Sequence, residues 1–165
     1  MGKYTVAAIV LIVVVALLFL AVAIGWSARR RRQSGLPALA VPPATTGEPS
    51  YDEEALYIVT TRADEPTDRI AVHGLGVRAH AVVTVVPEGI VLGLAGRPDA
   101  FIPRDALVGV GHATWTIDRV VGRDRLAFVR WRLGDLEVDS YFRPTDAAAL
   151  VAAIETLVPA PKGAE

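Results

Sequence analysis

The sequence contains no cysteine and a single methionine in 165 residues. Disulfides, thiolate metal sites and cysteine nucleophiles are thereby excluded. Lysine is almost missing too: of 17 basic residues only Lys3 and Lys162 are lysine, and the rest are arginine. Acidic residues are absent before Glu48, where Lys3 and Arg29, Arg30, Arg31 and Arg32 are the only charged side chains. From Glu48 onward twelve basic residues face all 18 acidic ones, a net charge of −6. A basic leading segment is thus joined to an acidic remainder. That remainder repels phosphate, which speaks against nucleic acid as a partner. The length suits one modest domain with an attached segment, and no internal repeat is visible.

What the sequence does have is one long apolar run. Thr5 to Trp26, TVAAIVLIVVVALLFLAVAIGW, is 22 residues without a charge. As a helix it would be about 33 Å long, enough to cross a hydrocarbon core of about 30 Å. Tyr4 and Trp26 bracket it, where aromatic rings favour the headgroup level. Ala21-Val22-Ala23 has the small-x-small form of a signal-peptide cleavage site, but the run exceeds the usual apolar region of such peptides. Residues 1–32 therefore read as a single-pass anchor ending in an arginine stop. Positive charge is retained on the cytoplasmic side, and Lys3 with the terminal amine is outweighed by Arg29–Arg32. The expectation is a cell-membrane protein with its N-terminus outside and its C-terminal domain in the cytoplasm.

Residues 33–54 are rich in Pro, Ala, Gly, Ser and Thr without periodicity, and read as a flexible linker spanning about 25 Å. Residues 55–158 read as the folded domain and 159–165 as a tail. Within the domain the pattern is short β runs. Ala55–Thr61 is the first, and Val77–Val86 alternates with Val77, Ala79, Ala81, Val83 and Val85 on one face. A Glu88-Gly89 turn would set Val85 opposite Leu92 and Val83 opposite Leu94. Short strands are expected over Ala100–Ile102 and Ala106–Val110. In LAFVRWRLGDLEVDSYF a Gly134-Asp135 turn pairs Arg132 with Glu137 and Arg130 with Asp139 on one face. The same turn pairs Leu133 with Leu136 and Trp131 with Val138 on the other, so charge and apolarity agree on one register. Thr145 can cap a helix reaching about Val158, with Leu150, Val151, Ile154, Leu157 and Val158 as its apolar stripe. The expected fold is an N-terminal transmembrane helix plus a mainly-β domain, a small antiparallel sandwich or half-open barrel capped by a C-terminal α-helix.

Chemistry is sparse. His73-Gly-Leu-Gly-Val-Arg-Ala has the form G-x-G-x-x-A, but a strand pattern follows it where a dinucleotide fingerprint needs a helix. His73, His80 and His112 have no partner at metal-ligand spacing, and no metal or cofactor is expected. Ser50, Ser140 and Lys162 form no triad-like set, so no catalytic residue is assigned. Asp135, Glu137 and Asp139 read as solvated partners of arginines. The bunched Arg119, Arg123, Arg125, Arg130 and Arg132 are the candidate anion or lipid-headgroup site.

The strings FIPRDALVGV and WRLGDLEVDSYFRP, within a pattern running from YIVTT, resemble a family of bacterial PH-like domain membrane proteins. These are small single-pass proteins of high-GC bacteria, often labelled uncharacterised, transporter or export proteins. The resemblance implies a PH-like β fold with a C-terminal helix and carries no catalytic residues. Three functions are expected in descending order. The first is a non-enzymatic module tethered to the cytoplasmic face, binding an as yet unknown protein or peptide partner. The second is an accessory subunit of a larger transport or export complex, acting through its transmembrane helix. The third is a binder of a small ligand or lipid headgroup, which the acidic domain disfavours at an anionic leaflet.

Overall fold

The computed structural model describes residues 2–113 and 126–158. They belong to two compact units, one ending at Gly35 and one beginning at Leu36.

The first unit is a helix, α1, over Lys3–Arg32, about 45 Å at 1.5 Å per residue. It is apolar on every side, with Ile9, Leu11, Leu18 and Phe19 all exposed. A soluble amphipathic helix would show one polar face. Segment Tyr4–Arg32, of mean hydropathy 3.4 in its most apolar window, is long and apolar enough to cross a membrane. The helix continues through all four arginines, which fill its last turn. Their charge complements the negative end of the helix dipole. The chain leaves the helix with Gln33 N donating to the Arg29 carbonyl and Ser34 Oγ donating to that of Arg31, at 3.1 and 2.8 Å.

The second unit is an eight-stranded antiparallel sheet with a C-terminal helix. Its strands are β1 Tyr51–Arg62, β2 Glu65–Arg69, β3 Ala79–Val86, β4 Gly89–Leu94, β5 Ala100–Pro103, β6 Leu107–His112, β7 Ala127–Leu133 and β8 Leu136–Pro144. The order across the sheet is β5-β4-β3-β1-β8-β7-β6, with β2 pairing β1 off that path, and the sheet does not close. Helix α2, Ala147–Glu155, packs against β6, β7, β1 and β8. It buries Leu150, Val151 and Ile154, with Leu157 just beyond its end. This is the PH-like arrangement expected from the sequence. The helix starts one residue later than anticipated: Asp146, not Thr145, is the cap, its Oδ1 accepting from Ala148 N and Ala149 N at 2.9 and 3.0 Å. A carboxylate there satisfies two orphan donors and meets the positive end of the helix.

The β7–β8 hairpin has the expected register, with Leu133 opposite Leu136, Trp131 opposite Val138, Arg132 opposite Glu137 and Arg130 opposite Asp139. Gly134 supplies the left-handed φ of 64° that the turn requires. The β3–β4 hairpin differs from expectation by two residues. Pro87-Glu88 makes the turn, so Val85 meets Ile90 and Val83 meets Leu92. An even shift keeps every side chain on its intended face. Gly89 is the first residue of β4, at φ 153°, because β5 crosses so closely that a Cβ there would strike the Ile102 carbonyl.

Residues 36–50, expected as free linker, are bonded to the domain. Leu36 and Leu39 pack on the core, and Phe101 N donates to the Ala40 carbonyl at 2.8 Å. Gly47 N donates to the Glu88 carboxylate at 3.0 Å, and Ser50 N to the Val85 carbonyl at 2.9 Å. Strand β1 then begins at Tyr51, four residues before its expected start. The segment is a strap that bridges β5 at Ala40 and reaches the β3–β4 turn at Gly47.

Candidate functional site

A bulge in β1 decides which polar groups face inward. Its pairing with β8 shifts between Tyr57 and Val59, so Tyr57 and Thr60 both point into the core. There the Trp131 indole Nε1 donates to Ser140 Oγ at 2.9 Å, and Ser140 Oγ shares a hydrogen bond with Thr60 Oγ1 at 2.6 Å. Thr60 Oγ1 in turn lies 2.7 Å from the Tyr57 hydroxyl, which donates to the Leu75 carbonyl at 2.6 Å. All four side chains are buried. Burial raises the Tyr57 phenol well above its ordinary value. The chain of bonds ties β7, β8 and β1 to the loop before β3 and opens to no solvent, so its role is structural. Ser140, one of the few hydroxyls the sequence offers for nucleophilic chemistry, is bonded on both sides within it.

On the opposite face of the same strands lies a cleft of about 250 Å³. Phe128 and Tyr141 lie side by side on it, with ring centroids 6.2 Å apart. Asp64, Pro66, His112, Ala113, Arg130 and Asp139 complete the lining. Arg130 Nε and Nη2 donate to the two Asp139 carboxylate oxygens at 2.8 and 2.9 Å, and Nη2 also donates to Asp64 Oδ1 at 2.8 Å. Asp139 is 3% exposed, so the residue expected to be solvated is instead held in place by its arginine. The hydrogen bonds it donates to Asp139 hold the Arg130 guanidinium above its ordinary range against the opposing effect of desolvation, with Asp64 assisting. Burial, then the Asp139 charge, pushes the Tyr141 phenol up. Two carboxylates around one guanidinium leave the cleft with one excess negative charge. Thr61 stands opposite Asp139 in the register and is 1% exposed. Its hydroxyl lies within the influence of the Tyr141 hydroxyl, yet no bond of acceptable geometry reaches it.

The sheet edges differ. The strap bridges β5 at Ala40 and Phe101. Among the described residues β6 pairs on one side only, with β7. It is bulged between Leu107 and Gly109, leaving Val108 37% exposed. A Cβ at Gly109 would meet open space, whereas the Phe128 ring lies across Gly111.

Of the five arginines of the candidate headgroup site, the structure describes Arg130 and Arg132. Arg130 is held by two carboxylates, and Arg132 Nη2 donates to the Asp105 carbonyl at 3.1 Å. Arg119, Arg123 and Arg125 lie outside the described residues. Tyr4, Trp26 and Arg29–Arg32 all stand on α1. His73 and Gly74 adopt φ of 53° and 77° in the turn leading towards β3, where the Arg97 side chain lies over Gly74. His73 Nε2 is bonded to the Leu36 carbonyl at 3.2 Å. Among the described residues no cluster of His, Asp or Glu has the arrangement of a metal site. Sequence reasoning missed Asp64, Phe128 and Tyr141 as members of one cleft. The Arg130–Asp139 pairing was the one signal that led towards it.

Residues 36–158 match the family described as bacterial PH domain-like. No curated protein matches the chain.

Proposed function

Because the chain belongs to the bacterial PH domain-like family, we propose that it is a membrane-anchored, non-catalytic interaction module. Its domain faces the cytoplasm and takes a protein or peptide partner as an added strand along β6. The observation that carries this reading is the unequal treatment of the two sheet edges. The strap bonds to β5 at Ala40, whereas β6 has a single neighbouring strand among the described residues and lies beside α2. An unpaired edge offers backbone donors and acceptors to an extended segment. Gly109 and Gly111 remove the side chains that would keep a second backbone at a distance.

Helix α1 supports the role of an anchor. From Val6 to Gly25 it has no side chain able to hydrogen-bond to a neighbouring helix, so specific pairing in the bilayer would rest on packing alone. The four arginines support retention of the domain on the cytoplasmic side.

The edge is tested by photocrosslinking in native membranes. A photoreactive residue replaces either Val108 on β6 or Val82 on β3, which is 41% exposed but paired on both sides. Discrete protein adducts at position 108 and none at 82 are expected. Adducts at 82 alone, or at neither position, would contradict strand addition at β6.

A further inference from the structure

The cleft beside β6 is not used by backbone pairing, yet its chemistry restricts what can pair there. We propose that the cleft is a subsite for a basic side chain, so that the segment added to β6 carries a lysine or arginine at the position opposite Gly111. This inference rests on the strand-addition reading and deepens it.

Two observations converge. The first is charge: Asp64 and Asp139 surround Arg130, and the carboxylates outnumber the cation by one. Asp64 keeps its carboxylate 80% exposed and retains lone pairs for a second donor. The second is the aromatic floor. Phe128 lies across Gly111, where a Cβ would come within 2.9 Å of its Cε1, and Tyr141 continues the surface. A strand added outside β6 would stand two strand spacings, about 10 Å, from β7. A side chain opposite Gly111 could extend over that residue's missing side chain onto the Phe128 ring. Only a long one places its head there, and a cation is attracted to the ring face. An acidic side chain would meet two carboxylates in the same place, so the cleft discriminates by repulsion as well as attraction.

The test is selection of displayed random nine-residue peptides on the full chain held in nanodiscs. Enrichment of Lys and Arg at one register position, about three- to fivefold over the input as expected for an exposed cation–π contact, is the expected outcome. The same selection on the Asp64→Asn chain should still recover peptides but lose that enrichment. Asn tolerates the positive φ of 62° at this turn and can still accept from Arg130. A Phe128→Leu chain should weaken the enrichment without abolishing recovery. Selected peptides with no basic preference would overturn the subsite and leave strand addition standing. Recovery of no peptide by the unaltered chain would overturn both. Free n-butylamine should not prevent peptide recovery at concentrations where a lysine-bearing peptide does. If it competes equally, the cleft is a small-amine site and the peptide subsite is overturned.

Discussion

Arg130 and Asp139 face each other across β7 and β8, and the guanidinium binds both carboxylate oxygens at 2.8 and 2.9 Å. The neighbouring pair in the same register, Arg132 and Glu137, is spaced alike along the strands, but Arg132 donates to the Asp105 carbonyl instead. Two pairs that look equivalent in sequence are thus energetically unlike.

A double-mutant cycle should separate them. Arg130→Ala strands a nearly buried carboxylate and should cost about 3 kcal/mol, with a coupling to Asp139→Ala of about 1–3 kcal/mol. The Arg132/Glu137 cycle should give about 0.2–1 kcal/mol, because both side chains are exposed. Urea denaturation of the four variants in each cycle supplies the numbers. Equal couplings would mean that the bidentate geometry contributes nothing.

The buried chain of hydroxyls should respond to loss of one atom. Ser140→Ala leaves the Trp131 indole and Thr60 hydroxyl short of a partner and should cost about 1–3 kcal/mol. Trp131→Ala removes a ring that is 2% exposed and should cost about 3–5 kcal/mol. Thermal unfolding followed by tryptophan fluorescence reads the first, and circular dichroism the second.

The strap makes a prediction about exchange. Amides at Gly47 and Ser50, which donate to the Glu88 carboxylate and the Val85 carbonyl, should be protected from hydrogen exchange. Leu39→Asp should abolish that protection and speed proteolysis within residues 36–50. Exchange of the unaltered strap at the rate of an unstructured chain would remove the strap from the fold.

Alkaline pH should destabilise the domain. Burial raises Tyr51 to about 12, with Glu53 adding to it, and burial also raises Tyr57 and Tyr141. A folded pKa above the unfolded value means stability is fully present below about pH 10, the ordinary tyrosine value, and is lost as pH rises through the folded pKa. The urea midpoint should therefore hold from pH 8 to about 10 and fall towards 12.

How much of this was written in the sequence depends on how local the cause is. The β7–β8 hairpin was legible because charge, apolarity and a Gly-Asp turn all lie within 17 residues. The β3–β4 pairing is displaced by two because the role of Gly89 is set by β5, whose Pro103 pairs with it from fourteen residues downstream. The β1 bulge has no sequence signature, and it alone puts Tyr57 and Thr60 on one face and Thr61 on the other. The strap has the sequence pattern of a linker because backbone groups and two isolated leucines hold it, and neither creates a periodic pattern. The cleft joins Asp64, Phe128 and Tyr141 from three strand regions, a proximity that only the sheet order creates.

As proposed, residues 36–158 stand on the cytoplasmic side of a membrane, and that side decides which partners could reach β6. The natural absence of cysteine makes the side directly measurable. Two single-cysteine chains, Gly2→Cys and Asp135→Cys, are exposed to a membrane-impermeant maleimide in intact cells and after the membrane is opened. Labelling of Gly2→Cys in intact cells, and of Asp135→Cys only once the membrane is opened, is the expected result. Labelling of Asp135→Cys in intact cells would place the domain outside and contradict the cytoplasmic interaction module.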